Sequence, residues 1–516
     1  MYLLVQATDH LVAAIALAGL LVYYLVVKVQ TYYRLRAFKG PFSTGFSEVW
    51  HMSAIFGKQA HLKYKETVDK YGPIARIGPN DLITSSQELL THMSGVRSEY
   101  TRADWYYLGG RFRPGKDNIF SLLDETQHQR RRQQMLPGYT GKENLELEGS
   151  MDARIVEFMD LIRRKYLSTE SRARPVDLTI KIQYFVFDVI TSIGFSSPLG
   201  DLIADADLLN YSKATEDAMG AAVYFTGSGL TKRLARMPWL MKLIGPSEHD
   251  AQGMGRLVGN AREIVAARLA RGDMETRSDM MASFSRHGLT PDELVTECQL
   301  QVLAGSHTTA ASLWTLMLFV TTHPRVLARL QAEIDGAVRD GVAPPAPDVV
   351  ANSELRRLPY LQAVIREGLR IRPPATNIDP KRVPDGGDTV VLDGKPVFLP
   401  GGANIGVSVW AINFDKTVFG DDVDEFRPER WLLETDEKKL AQMTRATDLI
   451  FGHGKFQCLG KPVALMEIGK TVFELLRNFD WSIARPQESL HTGNYVGLFL
   501  DKPMWMHATQ RTPTAV

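Results

Sequence analysis

Residues 291–322 predict a single buried helix about 48 Å long, and a chain that hides such a rod must build a large helical domain around it. Its start is specified locally. Thr290 is placed to cap it, Pro291 takes the first helical position, where a missing N–H costs nothing, and Glu293 completes a capping box. Its end is set by His323-Pro324, because proline disfavours helix in the residue before it. Leu300 to Leu303 and Leu313 to Val320 are apolar nearly all round, the pattern of a helix with no solvent face. Between them lies Ala304-Gly305-Ser306-His307-Thr308-Thr309. Glycine there costs about 1 kcal/mol relative to alanine, and hydroxyls plus an imidazole are expensive to bury unpaired. Two readings remain open: a satisfied polar patch at a close helix crossing, or a locally opened turn that holds water beside a reacting centre.

The chain has two cysteines in 516 residues, Cys298 inside that helix and Cys458 in Phe451-Gly452-His453-Gly454-Lys455-Phe456-Gln457-Cys458-Leu459-Gly460. A buried cysteine usually acts as a small hydrophobe. Two are no disulfide framework, and neither CxxC nor a spaced histidine pair suggests zinc. The loop around Cys458 argues for more. It leads into a second helix, marked by Leu465, Ile468, Val472, Leu475 and Phe479, so unpaired N–H groups and the positive helix end face the sulfur. Both favour thiolate, and a lone thiolate in such a cradle suits one axial bond to a haem iron.

Residues 11–27 form an uninterrupted apolar run, long enough to cross a bilayer. A cleaved signal would carry a basic start, but the first ten residues hold Asp9 and no Lys or Arg. Lys28, Arg34, Arg36 and Lys39 follow the run, which puts residues 1–10 in the lumen and the bulk of the chain in the cytosol. Lys39-Gly40-Pro41 then marks residues 28–45 as a basic, proline-containing hinge before one catalytic domain, 46–516. A net charge of +1 gives no electrostatic footprint for nucleic acid. Short extended signals at 74–78, 81–84, 389–392 and 396–399 interrupt otherwise helical periodicity, so the fold class is mainly α with minor β-sheet.

Taken together these segments resemble the cytochrome P-450 superfamily, the haem-thiolate monooxygenases. Phe451, Gly454, Cys458 and Gly460 match the family's cysteine loop, and Ala304 to Thr309 its oxygen-activation segment. Ile365-Arg366-Glu367-Gly368-Leu369-Arg370 and Phe426-Arg427-Pro428-Glu429-Arg430-Trp431 resemble its Glu-x-x-Arg and Pro-Glu-Arg-Phe motifs. The resemblance implies a P-450 fold preceded by one transmembrane helix, with haem b held by Cys458 as axial iron ligand. It makes Thr308 the threonine that delivers protons to bound dioxygen, with His307 beside it where the family has an acid. Glu367, Arg370 and Arg430 become a structural charged triad. His128 and Arg132, four apart, and Arg382 become haem-propionate partners. Phe456 stands where the family has a basic residue, so either Lys455 replaces that contact or it is lost. Thr101 to Tyr106, Gly138 to Lys142 and the cysteine loop look most like fungal, pisatin-demethylase-like members.

The implied activity is insertion of one oxygen atom into an apolar small molecule, a secondary-metabolite intermediate of terpenoid or polyketide type. Electrons would come from a separate NADPH-dependent reductase at the endoplasmic reticulum membrane. Residues 111–119, 220–229, 375–379 and 494–499, with Leu303 and Ser306, are the expected substrate contacts by analogy. His307 keeps open an oxygen-independent haem-thiolate isomerase or dehydratase. A non-catalytic haem-binding membrane protein is the reading from another class.

Overall fold

The capping signals act as written. In the computed structural model the Thr290 hydroxyl accepts the Glu293 N–H, the Glu293 carboxylate accepts the Thr290 N–H at 2.8 Å, and the central helix runs Pro291–Thr322. The structure describes residues 2–103, 110–111, 113, 115–215, 231, 234, 237–250, 253–392, 394–488, 492–495, 497–501 and 503–512. Helices Leu178–Phe195, Gly253–Arg271, Pro359–Ile371 and Lys461–Asn478 pack around the central one, and Leu313, Leu316, Met317, Val320, Phe185 and Phe473 are fully buried between them. Close crossing depends on glycine. A Cβ on Gly368 would stand 2.4 Å from Leu316, so any larger residue would push the Pro359–Ile371 helix off its neighbour.

The Ala304–Thr309 stretch is α-helical throughout, with no opened turn. The Thr308 hydroxyl donates to the Ala304 carbonyl at 2.8 Å, so a polar side chain satisfies itself on the preceding turn without parting it.

Five short strands form the main sheet: β1 (Ile74–Arg76), β2 (Asp81–Thr84), β3 (Thr101–Arg102), β4 (Asn377–Arg382) and β5 (Asn404–Ser408), in the order β1-β2-β5-β4-β3. The register of β4 on β5 shifts between Ile378 and Lys381, an irregularity that turns the end of β4. A separate hairpin, Asp388–Leu392 with Lys395–Leu399, pairs Val390 with Val397. Mainly α with small sheets is therefore the observed class.

The N-terminal helix is longer than the apolar run suggests, Tyr2–Arg34. Within it Ala14–Arg34 is apolar and long enough to cross a membrane, with mean hydropathy 1.7 and none of it buried. Leu178–Phe195 passes the same test but is mostly buried, which marks it as core. The expected hinge at 28–45 begins with six or more further helical residues. Arg76 of β1 explains the continuation: its guanidinium donates to the carbonyls of Thr31 and Tyr32 at 3.3 and 3.2 Å, satisfying acceptors that a helix end leaves open. Tyr32 also stacks on Phe46 with centroids 4.8 Å apart.

Candidate active site

The helix Glu125–Tyr139 lies between the central helix and the cysteine loop and faces both. Arg131 pairs with Glu293 and Glu297 on the central helix, and the Tyr139 hydroxyl accepts from Gln301 at 3.2 Å. On the other side Arg132 donates to the Gln457 carbonyl at 2.6 Å. Consecutive arginines thus tie the two halves of the site together.

Within the loop, the Cys458 N–H donates to the Phe451 carbonyl at 2.8 Å. The loop packs against the Gln87–Ser94 helix at Gly454, whose φ of +55° is left-handed and whose Cβ would lie 2.1 Å from the Ser94 carbonyl. Only glycine fits there. Gly460 is different: a Cβ would meet the Cys458 sulfur at an ordinary 3.7 Å. Burial pushes the Cys458 thiol up, while the Gly460 and Lys461 N–H groups and the Arg132 charge act in the opposite direction. Yet Cys458 is the exposed residue in a half-buried loop. A side chain both accessible and poorly hydrated opens onto an interior cleft. The central helix behaves likewise: Ala304 is exposed and Gly305 and Thr308 half-buried in the middle of a buried rod. Ala304 and Thr308 are four apart and share that face.

His307 is elsewhere. Its ring meets Phe187 edge-on at 5.9 Å, and Nδ1 lies 3.0 Å from the Ser306 hydroxyl. Burial pushes it down to about 4, so it is a neutral imidazole at neutral pH. Beside the half-buried His307, Ser306 is fully buried and Leu303 is buried too, so neither of these two lies on the accessible stripe as the expected substrate contacts would.

Basic side chains gather around Phe456. The Lys381 ammonium stands 4.4 Å, Lys455 5.0 Å and Arg102 5.5 Å from its ring centre. His128 lies at 5.8 Å and is pushed down to about 3 by burial and by Arg102, Arg132, Lys381 and Lys455. It therefore adds a neutral hydrogen-bonding group and no charge. Lys455 is committed otherwise, donating to the Ser98 and Tyr100 carbonyls at 2.9 and 3.0 Å; it fastens the loop beside β3 in place of the contact Phe456 lacks.

Arg382 is not in this cluster. It is half exposed, pairs with Asp385 at 3.0 Å and approaches Arg34. Its neighbour Lys381 is buried and points at Phe456. Successive strand residues face opposite sides, and the register shift in β4 decides which of the two turns inward. Arg102, opposite Lys381 across β3 and β4, was also missed; its signal was that pairing, invisible until the strands are placed.

The triad residues meet behind the site. Glu367 accepts Arg370 at 2.8 Å and Arg430 at 2.9 Å, all three buried, and the Trp431 indole N–H adds a bond at 2.9 Å that phenylalanine would lack. Of the expected substrate segments, residues 112, 114, 220–229 and 496 lie outside the described residues, as do 104–106 of the fungal-type segment.

Residues 41–504 match the cytochrome P450 family model. The chain belongs to the cytochrome P450 family. It is similar to "Cytochrome P450 monooxygenase ABA1" of Pyricularia oryzae strain 70-15, 40% identical over 513 residues and 98% of both chains. It is 33% identical to "Cytochrome P450 monooxygenase aba1" of Botryotinia fuckeliana over 93% of both. "Pisatin demethylase" of Fusarium vanettenii is 28% identical over 87% of this chain and 85% of the relative. The P450 is thus an oxidoreductase of the monooxygenase class, and membership implies a haem-thiolate cofactor. The site fits that group: a thiol met by N–H donors at an interior cleft, beside cations suited to carboxylates.

Proposed function

We propose that this P450 is a membrane-anchored monooxygenase that inserts one oxygen atom from dioxygen into an apolar secondary-metabolite intermediate, of terpenoid or polyketide type. The observation that carries it is Cys458, an accessible thiol met by the Gly460 and Lys461 N–H groups, in a loop whose Phe456 is ringed by cations, together with the accessible Ala304–Thr308 stripe on the buried central helix. In this reading Cys458 would bind the haem iron, and Arg132, Lys381 and Arg102 would hold the haem carboxylates, with His128 as a neutral partner. When bound, haem supplies oxygen activation and oxidation of the substrate carbon. Thr308 lies one turn from Ala304 on the accessible face, its hydroxyl donating to the Ala304 carbonyl at 2.8 Å; it offers that face an acceptor oxygen and would release its proton only by leaving that carbonyl. His307 is neutral and turned to Phe187, with the Ser306 hydroxyl 3.0 Å from its Nδ1 and a hydrogen bond to the Leu303 backbone. Residues 14–34 anchor the chain in the endoplasmic reticulum membrane with its catalytic domain in the cytosol, and a separate NADPH-dependent reductase supplies electrons.

Incubation with isotope-labelled dioxygen, NADPH and a reductase is expected to place one labelled atom in the product. Unlabelled product formed without NADPH and reductase would assign the site to rearrangement or dehydration. The carboxylate partners are tested separately. Lys381→Ala should weaken haem retention about tenfold, the worth of one charge-assisted hydrogen bond, while Arg382→Ala changes it less than about twofold. Transfer of haem to an excess of an apo-globin acceptor measures both; equal losses would return Arg382 to the site.

A further inference from the structure

The first turns of the central helix carry Asp292, Glu293 and Glu297; Glu293 meets Thr290 and Arg131, while Asp292 and Glu297 reach the segment that links β3 to the basic helix. Asp292 meets Arg113 at 3.0 Å and Lys116 at 2.7 Å, and Thr296 accepts a further Arg113 N–H at 3.1 Å. Glu297 reaches deepest. It is fully buried, and one oxygen accepts both the Ile119 N–H at 2.9 Å and Arg131 at 2.5 Å, while the other oxygen has no hydrogen-bond partner among the described residues. The Ile119 carbonyl is held from the opposite side, accepting from Arg102 at 2.9 Å, and that guanidinium lies over Phe456 of the cysteine loop. The two peptide groups that flank Ile119 are thereby clamped, one by the central helix and the other by the cationic cluster. Position 297 is seven residues before Ala304 and eleven before Thr308, so all three share the helix face that opens onto the Cys458 cleft, Ile119 about two turns from Ala304.

We infer that Glu297 is a positioning residue for the substrate, holding the Ile119 peptide and the 115–121 segment at the rim of the cleft, so that ligand fit depends on it and haem attachment does not. This rests on the haem-thiolate reading of Cys458. The clamp is tied to charge. Glu297 faces Arg131 and Tyr139 from the basic helix, and Glu293 and Cys298 from its own; of the two charged side chains of the 115–121 segment, Lys116 pairs with Asp292 and Asp117 with Arg111. Burial raises Glu297 to about 7 while Arg131 pulls the other way. Ionised, it answers Arg131 but keeps a buried charge that opening of the segment would hydrate. The hold is therefore fullest below neutrality and slackens as pH rises through it.

The test uses the full chain in nanodiscs, with Glu297→Gln, which keeps shape and an acceptor but loses charge, and Glu297→Ala, which loses both. Amide exchange of residues 115–121, corrected for its intrinsic pH dependence, is expected to quicken about tenfold in the alanine variant and less in the glutamine one. Wild type should show faster exchange on going from about pH 6 to about pH 8, and Glu297→Gln should abolish that dependence. Binding of 4-phenylimidazole, read by difference spectroscopy, should weaken several-fold in both variants, with their thiolate-type carbonyl spectra retained. Unchanged exchange and probe affinity in Glu297→Gln, or a flat wild-type pH profile, would overturn the inference. So would loss of the carbonyl spectrum in the glutamine variant, which would make Glu297 part of haem attachment. Absence of a thiolate-type spectrum in the wild type would instead sink the reading of Cys458.

Discussion

Cys458→Ser is expected to lose both turnover and the strongly red-shifted carbonyl Soret band of a thiolate-ligated haem, with the polypeptide still folded. The change replaces a soft, ionisable sulfur by a hydroxyl that stays protonated at neutral pH and donates little electron density to iron. Folding should survive because the contact that shapes the loop is made by backbone, the Cys458 N–H on the Phe451 carbonyl, and Gly454 still fits against Ser94. Cys298 is the internal control. It is buried on the central helix, and burial holds its thiol well above the ordinary range, so it behaves as a small apolar residue. Cys298→Ala should leave the spectrum unchanged and cost at most about 1–2 kcal/mol of stability from the lost sulfur contacts. Spectra of reduced, carbon-monoxide-treated membranes read both variants directly. A retained red-shifted band in Cys458→Ser would remove the cysteine from the iron.

What could be read from the chain divides by range. The central helix was legible to the residue at both ends, because Thr290, Pro291, Glu293 and Pro324 act on their immediate neighbours. The extended segments 389–392 and 396–399 were legible for the same reason, whereas their pairing into a hairpin appears only in the fold. The choice between Lys381 and Arg382 was not, since it turns on a register shift between strands whose partner, 404–408, gave too short a signal to be placed. The continuation of the N-terminal helix to Arg34 depends on Arg76, more than forty residues away, collecting its last carbonyls. Lys455 had the right charge beside the cysteine, and only the carbonyls of Ser98 and Tyr100 show where it goes. Glu297 looked like one more acidic residue at a helix start. Its burial and its hold on Ile119 are tertiary facts.

Glu367→Ala should cost about 3–5 kcal/mol, the penalty for leaving buried charge without its partner, and most of the chain should fail to accumulate as folded holoprotein. Five donors converge on that carboxylate. One oxygen accepts Arg370, Arg430 and the Arg427 N–H at 2.8, 2.9 and 3.0 Å; the other accepts Arg370 and the Trp431 indole at 2.9 Å each. Carbonyls of Asn413, Val423 and Phe419 share the two guanidiniums, so they are well bonded but, without Glu367, carry two buried positive charges with only Asp422, at the edge, to offset them. Trp431→Phe separates charge from hydrogen bonding. It keeps the ionic set and removes one donor to a carboxylate, about 1.5–3 kcal/mol at most, so folded holoprotein should persist with a lowered midpoint. Urea unfolding followed by tryptophan fluorescence, together with haem content per chain, ranks the two. If Glu367→Ala were no worse than Trp431→Phe, the carboxylate would be acting as one hydrogen-bond acceptor among others, and the ionic network would not be what holds the Pro359–Ile371 helix to the segment around Arg430.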